Sequence, residues 1–299
     1  MSVQSRFLEP EFLRALERLS GTARRPFSGP KKGEKRPLRP GASPEVSDFR
    51  PYGIEDDPRH VDRQAFLRPE RLFQRLFSQE DVSIHLLLDA SQSMEYPVET
   101  FAGRMTKFDF ARKIAASIGY VSLIRYDRVS VACFAQTVGS RVPTLRGQAS
   151  APRLFEYLES LSPGGRTDFV HALRNYTARH SSPGICIVLS DFFDPNWERG
   201  VRALLSRRFE VVLLQILAPE EAEPNVVGDL RLVDAVTGET REVSITPAVL
   251  ANYREAFHRF CASLSELSQR HGMDYLQTTT DAPVEEMLLR TLRNAGLLS

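Results

Sequence analysis

The stretch VSIHLLLDAS, residues 82–91, decides the fold. It is a short apolar run bounded by polar residues, the pattern of a strand buried on both faces of a parallel sheet, and it ends on Asp89 and Ser91. Two later runs share its character, GICIVLSD at 184–191 and FEVVLLQIL at 209–217. Helical spacing fills the intervals. Phe108, Ala111, Ile114, Ala115, Ile118 and Val121 recur at i, i+3 and i+4, and further helices are predicted near 150–161, 168–180 and 195–206. RVSVACFA at 128–135 alternates like a strand, with Thr137 to Val142 predicted to pair with it across a short turn. Past residue 218 the rhythm breaks. DLRLVDAVTGETREVSI reads as a β-hairpin inserted at about 229–245, followed by a long helix after Pro247, a strand at 273–278 and a last helix from Pro283 to about Leu292. Apolar strands alternating with helices predict an α/β fold, an open and mostly parallel sheet with helices on both faces. In such a sheet the chemistry sits at the carboxyl ends of the strands.

Composition agrees with this. The chain has 299 residues, 39 Lys+Arg against 38 Asp+Glu (39 − 38 = +1), and 42% hydrophobic residues. At about 150 residues per domain that is room for two domains, or for one α/β domain with extensions. We expect an N-terminal extension over 1–80, packing on a main domain over 81–299. No uninterrupted apolar run reaches the roughly 18 residues needed to cross a bilayer, and the first residues lack the pattern of a secretion signal. Three scattered cysteines, Cys133, Cys186 and Cys261, form no disulfide framework. The expected compartment is a reducing cytoplasm. A near-zero net charge argues against a dedicated nucleic-acid binder.

The extension has three parts. Phe12, Leu13, Leu16 and Leu19 stand at helical spacing, with Gly21 as a stop. From 21 to 40, seven Lys/Arg face one acid among prolines and glycines, either a solvated basic loop or a contact for an anionic partner. Then DFRPYGIEDDPRHVD, 48–62, concentrates Arg50, Asp56, Asp57, Arg59 and Asp62. These are either a partner-binding surface or a tight turn in which arginines pair with aspartates.

The constellation with chemical potential is Asp89-Ala90-Ser91-Gln92-Ser93 at the end of the first central strand. One carboxylate with neutral hydroxyls is a hard oxygen set suited to Mg²⁺ or Mn²⁺. Serines after a strand also cap helices, so this run alone leaves both readings open. Two further segments join it. Thr167 lies in Pro163-Gly164-Gly165-Arg166-Thr167-Asp168 at the start of a helix, and Asp191 ends the second apolar run. If these strands are neighbours, both aspartates and Thr167 meet at one sheet edge.

DASQSM, GGRTD and VLSD, in that order, resemble the metal-ion-dependent adhesion site of von Willebrand factor A domains. That resemblance implies that Ser91, Ser93 and Thr167 ligate the ion directly, that Asp89 and Asp191 act mainly through bound waters, and that a partner's carboxylate takes the open position. The upstream segment, with Arg50, Tyr52, Asp56, Asp57, Arg59 and Asp62, is similar to a bacterial family catalogued as domain of unknown function number fifty-eight. Glu55 and Arg63 depart from its usual glycine and tryptophan. The family resemblance spans about 40–290 and implies a non-enzymatic, cytoplasmic interaction module acting beside a MoxR-type AAA+ ATPase on a client protein, in complex assembly or maturation. Two other readings stand beside it: a metal-free scaffold using the basic loop, and a metal-dependent phosphoryl hydrolase, for which no lysine is evidently placed. Trp197 is expected either as a rim aromatic or as packing at a helix start, and His85 as a hydrogen-bonded interior histidine.

Overall fold

The computed structural model describes residues 14, 16, 18, 46–51, 73–77, 82–97, 105–135, 138–180, 182–207, 209–225, 228–233 and 240–297. The chain divides into two compact units, Ser28–Asp81 and Met1–Phe27 with Val82–Ser299. Within the larger unit, helical Leu16 is buried in the apolar core.

The smaller unit contains an antiparallel pair, β1 (Val46–Pro51) and β2 (Phe73–Phe77), with Phe49 opposite Arg75. Neither strand is anticipated above. Each is short, their partners lie far apart in sequence, and Arg and Gln interrupt the apolar alternation on which a strand reading depends.

The larger unit runs β3 (Ser83–Asp89), α1 (Lys107–Ile124), β4 (Arg128–Phe134), β5 (Val138–Arg141), β6 (Leu145–Arg146), α2 (Ala151–Ser160), α3 (Phe169–Arg179), β7 (Gly184–Ser190), α4 (Trp197–Leu205) and β8 (Phe209–Leu217). It continues with α5 (Pro219–Ala222), β9 (Gly228–Val233), β10 (Thr240–Ile245), α6 (Pro247–His271), β11 (Asp274–Thr279) and α7 (Val284–Asn294). A seven-stranded sheet has the order β11-β8-β7-β3-β4-β5, with β6 also pairing β4. From β11 to β4 every pairing is parallel; β5 and β6 pair β4 antiparallel. The expected α/β architecture is therefore present. The inserted hairpin is the antiparallel pair β9–β10, which forms its own two-stranded sheet.

The unbroken apolar runs follow from burial on two faces. In β3, Ile84, Leu86 and Leu88 face one core with Ile114, Ile118, Leu154 and Leu292, while Leu87 belongs to the other with Leu173, Val201, Leu204 and Leu264. The second core needs close helix packing. A Cβ on Gly200 of α4 would lie 2.6 Å from Phe169 Cβ and 2.7 Å from its carbonyl carbon, so only glycine lets α4 approach the start of α3 this closely.

Strand order fixes the functional edge. The chain leaves β3 for β4 on one side, and β7 lies on the other. The carboxyl ends of β3 and β7 thus flank a topological switch point, where open α/β sheets form ligand crevices.

Candidate metal centre

Asp89 is the last residue of β3, and Asp191 follows β7 directly. Both are buried, at 0% and 1% exposure. Ser91 begins the 3-10 turn Gln92–Glu95 that carries Ser93, yet its side chain makes no capping bond. Its hydroxyl lies 3.1 Å from Ser93 Oγ instead. The cap of α1 is Thr106, which accepts from the Asp109 amide. The helix-capping reading of the serines therefore does not hold.

Thr167 arrives from a loop stitched to the strand end by backbone bonds. Gly164 N–H donates to Ala90 O (2.7 Å) and Gln92 N–H to Gly165 O (2.9 Å). Gly165 has φ +75°, a left-handed turn that suits glycine. After that turn Thr167 Oγ1 donates to Asp89 Oδ1 at 3.3 Å, and Asp168 caps α3 through the His171 amide. The same Asp89 oxygen accepts Ser91 N–H at 2.9 Å, and its other oxygen accepts the Ser190 hydroxyl at 2.6 Å. Ser190 Oγ accepts Phe192 N–H at 2.9 Å, holding Phe192 at φ +61°. A bulky residue in that region is strained by an amount on the order of 1–2 kcal/mol, offset here by full burial of its ring against Phe169.

A buried lysine completes the charge arrangement. Lys107 Nζ donates to Asp191 Oδ2 at 2.8 Å and to Glu221 Oε1 at 2.7 Å, with no exposed surface. Asp191 Oδ1 accepts Phe193 N–H at 3.1 Å, and Glu221 Oε2 accepts Ala218 N–H at 2.8 Å. Burial, then the neighbouring Asp191 carboxylate, pushes Asp89 from 3.8 up to about 6. Burial alone would lower the Lys107 ammonium, but Asp191 and Glu221 overcome it and hold it above its ordinary value. Burial also raises Glu221, against the pull of Lys107.

Lys107 and Glu221 are absent from the sequence reading. Lys107 did leave a signal: as the first residue of α1 its charge opposes the helix dipole, a placement that needs a specific counter-charge. Glu221 lies on the four-residue α5, too short for periodicity to reveal.

Ser91, Ser93, Thr167 and Asp191 line a cavity of about 680 Å³, with Asp89 behind them. Asp89, Asp191 and Glu221 against Lys107 leave two negative charges, matching a divalent cation. Among the described residues no group of three or more His, Cys, Asp or Glu is arranged to hold a metal, so hydroxyl and water oxygens would form most of the coordination. Three hard hydroxyls and two nearby carboxylates fit Mg²⁺ or Mn²⁺.

Other expected residues fall elsewhere. Arg50 lies in β1, while Asp56, Asp57, Arg59, Asp62, Glu55, Arg63 and the basic loop 21–40 lie outside the described residues. Trp197 is 7% exposed at the start of α4, edge-on to Phe260, so it packs and does not form the rim. Phe193, two residues past Asp191, is exposed instead. Cys133 and Cys186 are core residues. His85 is buried with Nδ1 2.7 Å from the Tyr176 hydroxyl, and its Nε2 has no hydrogen-bond partner among the described residues. No helix among the described residues is long and apolar enough to cross a membrane.

Comparison with known proteins places the chain among uncharacterized relatives. One from Mycobacterium bovis and one from Mycobacterium tuberculosis are each 27% identical over 278 residues, covering 91% of this chain and 86% of their own length. Among solved structures, an aerotolerance-related membrane protein from Bacteroides fragilis, with multiple mutations to serines, is 15% identical. It has a TM-score of 0.47 and covers 72% of this chain and 98% of its own. Proximal thread matrix protein 1 of the mussel byssus, with a zinc-occupied MIDAS motif, is 12% identical with a TM-score of 0.42, covering 72% of this chain and 48% of its own. The match that defines the chain is to the family described as protein of unknown function DUF58, which spans residues 48–263, and the chain belongs to that family.

Proposed function

We propose that this chain is a non-enzymatic protein-interaction module. Mg²⁺ or Mn²⁺ at Ser91, Ser93 and Thr167, drawn by the charges of Asp89 and Asp191, captures a carboxylate of a partner protein. The observation that carries the reading is that two separate loops bring the paired Ser91 and Ser93 hydroxyls and the Thr167 hydroxyl to one cavity, where the Ser91 amide and Thr167 hydroxyl both donate to the buried Asp89 carboxylate. With few protein charges in direct contact, the ion remains a strong electrophile for an incoming acid. From the family resemblance, the proposed partner is a MoxR-type AAA+ ATPase acting with this chain on a client, in the cytoplasm.

The hydrolase reading has less support. Such chemistry would use a lysine facing the substrate phosphate, and Lys107 has no exposed surface and is engaged by two carboxylates.

The test is thermal unfolding with and without Mg²⁺ or Mn²⁺, in wild type and in the Ser91→Ala/Ser93→Ala variant. Free ion at 100 times Kd stabilises by about 2.7 kcal/mol, a rise of several degrees. A rise confined to the wild type supports the reading; equal behaviour of the two proteins sinks it.

A further inference from the structure

Five large hydrophobic side chains are conspicuously exposed among the described residues: Tyr96 (37%), Tyr126 (65%), Phe193 (42%), Val249 (40%) and Tyr253 (40%). Three of the five belong to residues that touch Lys107 or Glu221 beside the candidate metal centre, Phe193 through its ring, Tyr253 through its hydroxyl and Tyr96 through its backbone carbonyl. The Tyr96 carbonyl accepts Lys107 N–H at 3.0 Å, the Phe193 ring centre lies 5.2 Å from Lys107 Nζ, and the Tyr253 hydroxyl donates to Glu221 O at 2.7 Å. Phe193 is backed by Phe260, with ring centres 5.5 Å apart, and Phe260 in turn by Trp197. Scattered exposed apolar residues need no explanation, but supported aromatics gathered at one site have the composition of a protein-binding hot spot.

The cavity also holds two cations. Arg166, one residue before Thr167, and Arg199, in the first turn of α4, line it together with Ser91, Ser93 and Phe193. Both are exposed, and neither has an ion-pair or hydrogen-bond partner among the described residues. The cavity carboxylates Asp168 and Asp194 are engaged by backbone amides. Asp168 accepts His171 N–H, and Asp194 accepts those of Phe169 and Asn196. Arg199 opposes its helix dipole as Lys107 does, yet unlike Lys107 it has no internal counter-charge among the described residues.

We propose that the docked partner segment is a short acidic peptide with three contacts. One carboxylate meets the ion, a second acidic side chain meets Arg166 and Arg199, and a bulky apolar side chain packs on Phe193, Tyr96 and Tyr253. This rests on the metal-dependent reading above and adds the partner's chemistry to it. A polyphosphate chain fits less well, because it has no apolar group to cover the exposed Phe193, Tyr96 and Tyr253.

The test is selection of a random-peptide phage library on the full chain in Mn²⁺ with elution by EDTA. Thermal shifts are measured in parallel. Recovered peptides should share two neighbouring acids and one aromatic or long aliphatic residue. The synthetic consensus should bind Phe193→Ala and Arg166→Ala/Arg199→Ala each about tenfold more weakly than wild type, while both variants keep the metal-induced thermal shift. Recovery of peptides with a lone acid, or equal affinity for the variants, overturns this inference and leaves the metal site standing. So does a normal thermal shift with no EDTA-released peptide. Absence of both peptide and shift overturns the metal reading too. Displacement of the consensus peptide by oligothymidine would make the surface a nucleic-acid site and overturn the acidic-peptide inference.

Discussion

Lys107 and Asp191, 84 residues apart in sequence, form a fully buried ion pair with Nζ 2.8 Å from Oδ2. Glu221 closes the bridge from the other side at 2.7 Å. The pair joins the first helix of the sheet domain to the loop after β7, and through Glu221 to the segment after β8.

Replacing Lys107 by Met leaves two acids facing each other without their cation. Breaking a buried pair on one side costs about 3–5 kcal/mol, so Lys107→Met should lose about that much stability in urea unfolding. Lys107→Met/Glu221→Gln removes one of the stranded charges and should recover part of the loss. A Lys107→Met chain within 1 kcal/mol of wild type would show that the bridge is not structural.

Asp89 without an ion is a buried acid beside another acid. Its folded value, about 6, lies above the ordinary 3.8. The protonated form is therefore favoured by folding: the contribution is fully present below about pH 4 and disappears as pH rises through about 6. Asp89→Asn removes the repulsion. In metal-free buffer at pH 7 to 8 this variant should be more stable than wild type by an amount on the order of 2–3 kcal/mol, and Mg²⁺ should no longer stabilise it. A less stable variant would contradict the charge argument.

His85 works in the opposite direction. Burial, then His180, lowers it from 6.5 to about 4. Folding favours the neutral ring, so this contribution is present above about pH 6.5 and lost as pH falls through about 4. Because Asp89 titrates in the same window with opposite sign, the trend should emerge in the Asp89→Asn background. There stability should fall from pH 6.5 to 4, and adding His85→Asn, which keeps a polar group for Tyr176, should flatten the slope. An unchanged slope would assign the acid sensitivity to other groups.

The parts of the fold legible in sequence are those where one physical cause dominates. β3, β7 and β8 are apolar along nearly their whole length because both faces are covered, and their bounds fall within two residues of expectation. Asp89 and Asp191 are legible as one edge because parallel neighbours end together, whereas Ser91, Ser93 and Thr167 join them as ligands through the resemblance carried by DASQSM, GGRTD and VLSD. What stayed hidden depends on long-range pairing of charges and on very short elements. Lys107 reads as a solvated helix residue until Asp191 and Glu221 are placed around it, and β6 has only two residues. Phe193 carries no sequence signal that sets it apart from Trp197, because size alone does not show which of two nearby aromatics faces the core. Both rings contact Phe260, and exposure separates them: Trp197 is 7% exposed and Phe193 42%.

Thr167 separates an ion-binding role from a purely structural one. Its hydroxyl donates to Asp89 at 3.3 Å, a long bond at the edge of hydrogen-bonding range, so its loss in the metal-free protein should be mild. Thr167→Val preserves shape and removes the oxygen; Thr167→Ser preserves the oxygen and removes the methyl. If Thr167 Oγ1 ligates the ion, Val should weaken Mn²⁺ binding by about tenfold or more, measured by calorimetry, with metal-free stability changed by about 1 kcal/mol or less, and Ser should retain nearly full affinity. A structural role predicts the reverse pattern: both variants would shift metal-free stability while leaving affinity for the ion alone. Equal Mn²⁺ affinity in the Val and Ser variants would remove Thr167 from the coordination and leave the ion to Ser91, Ser93 and water, held by the charges of Asp89 and Asp191.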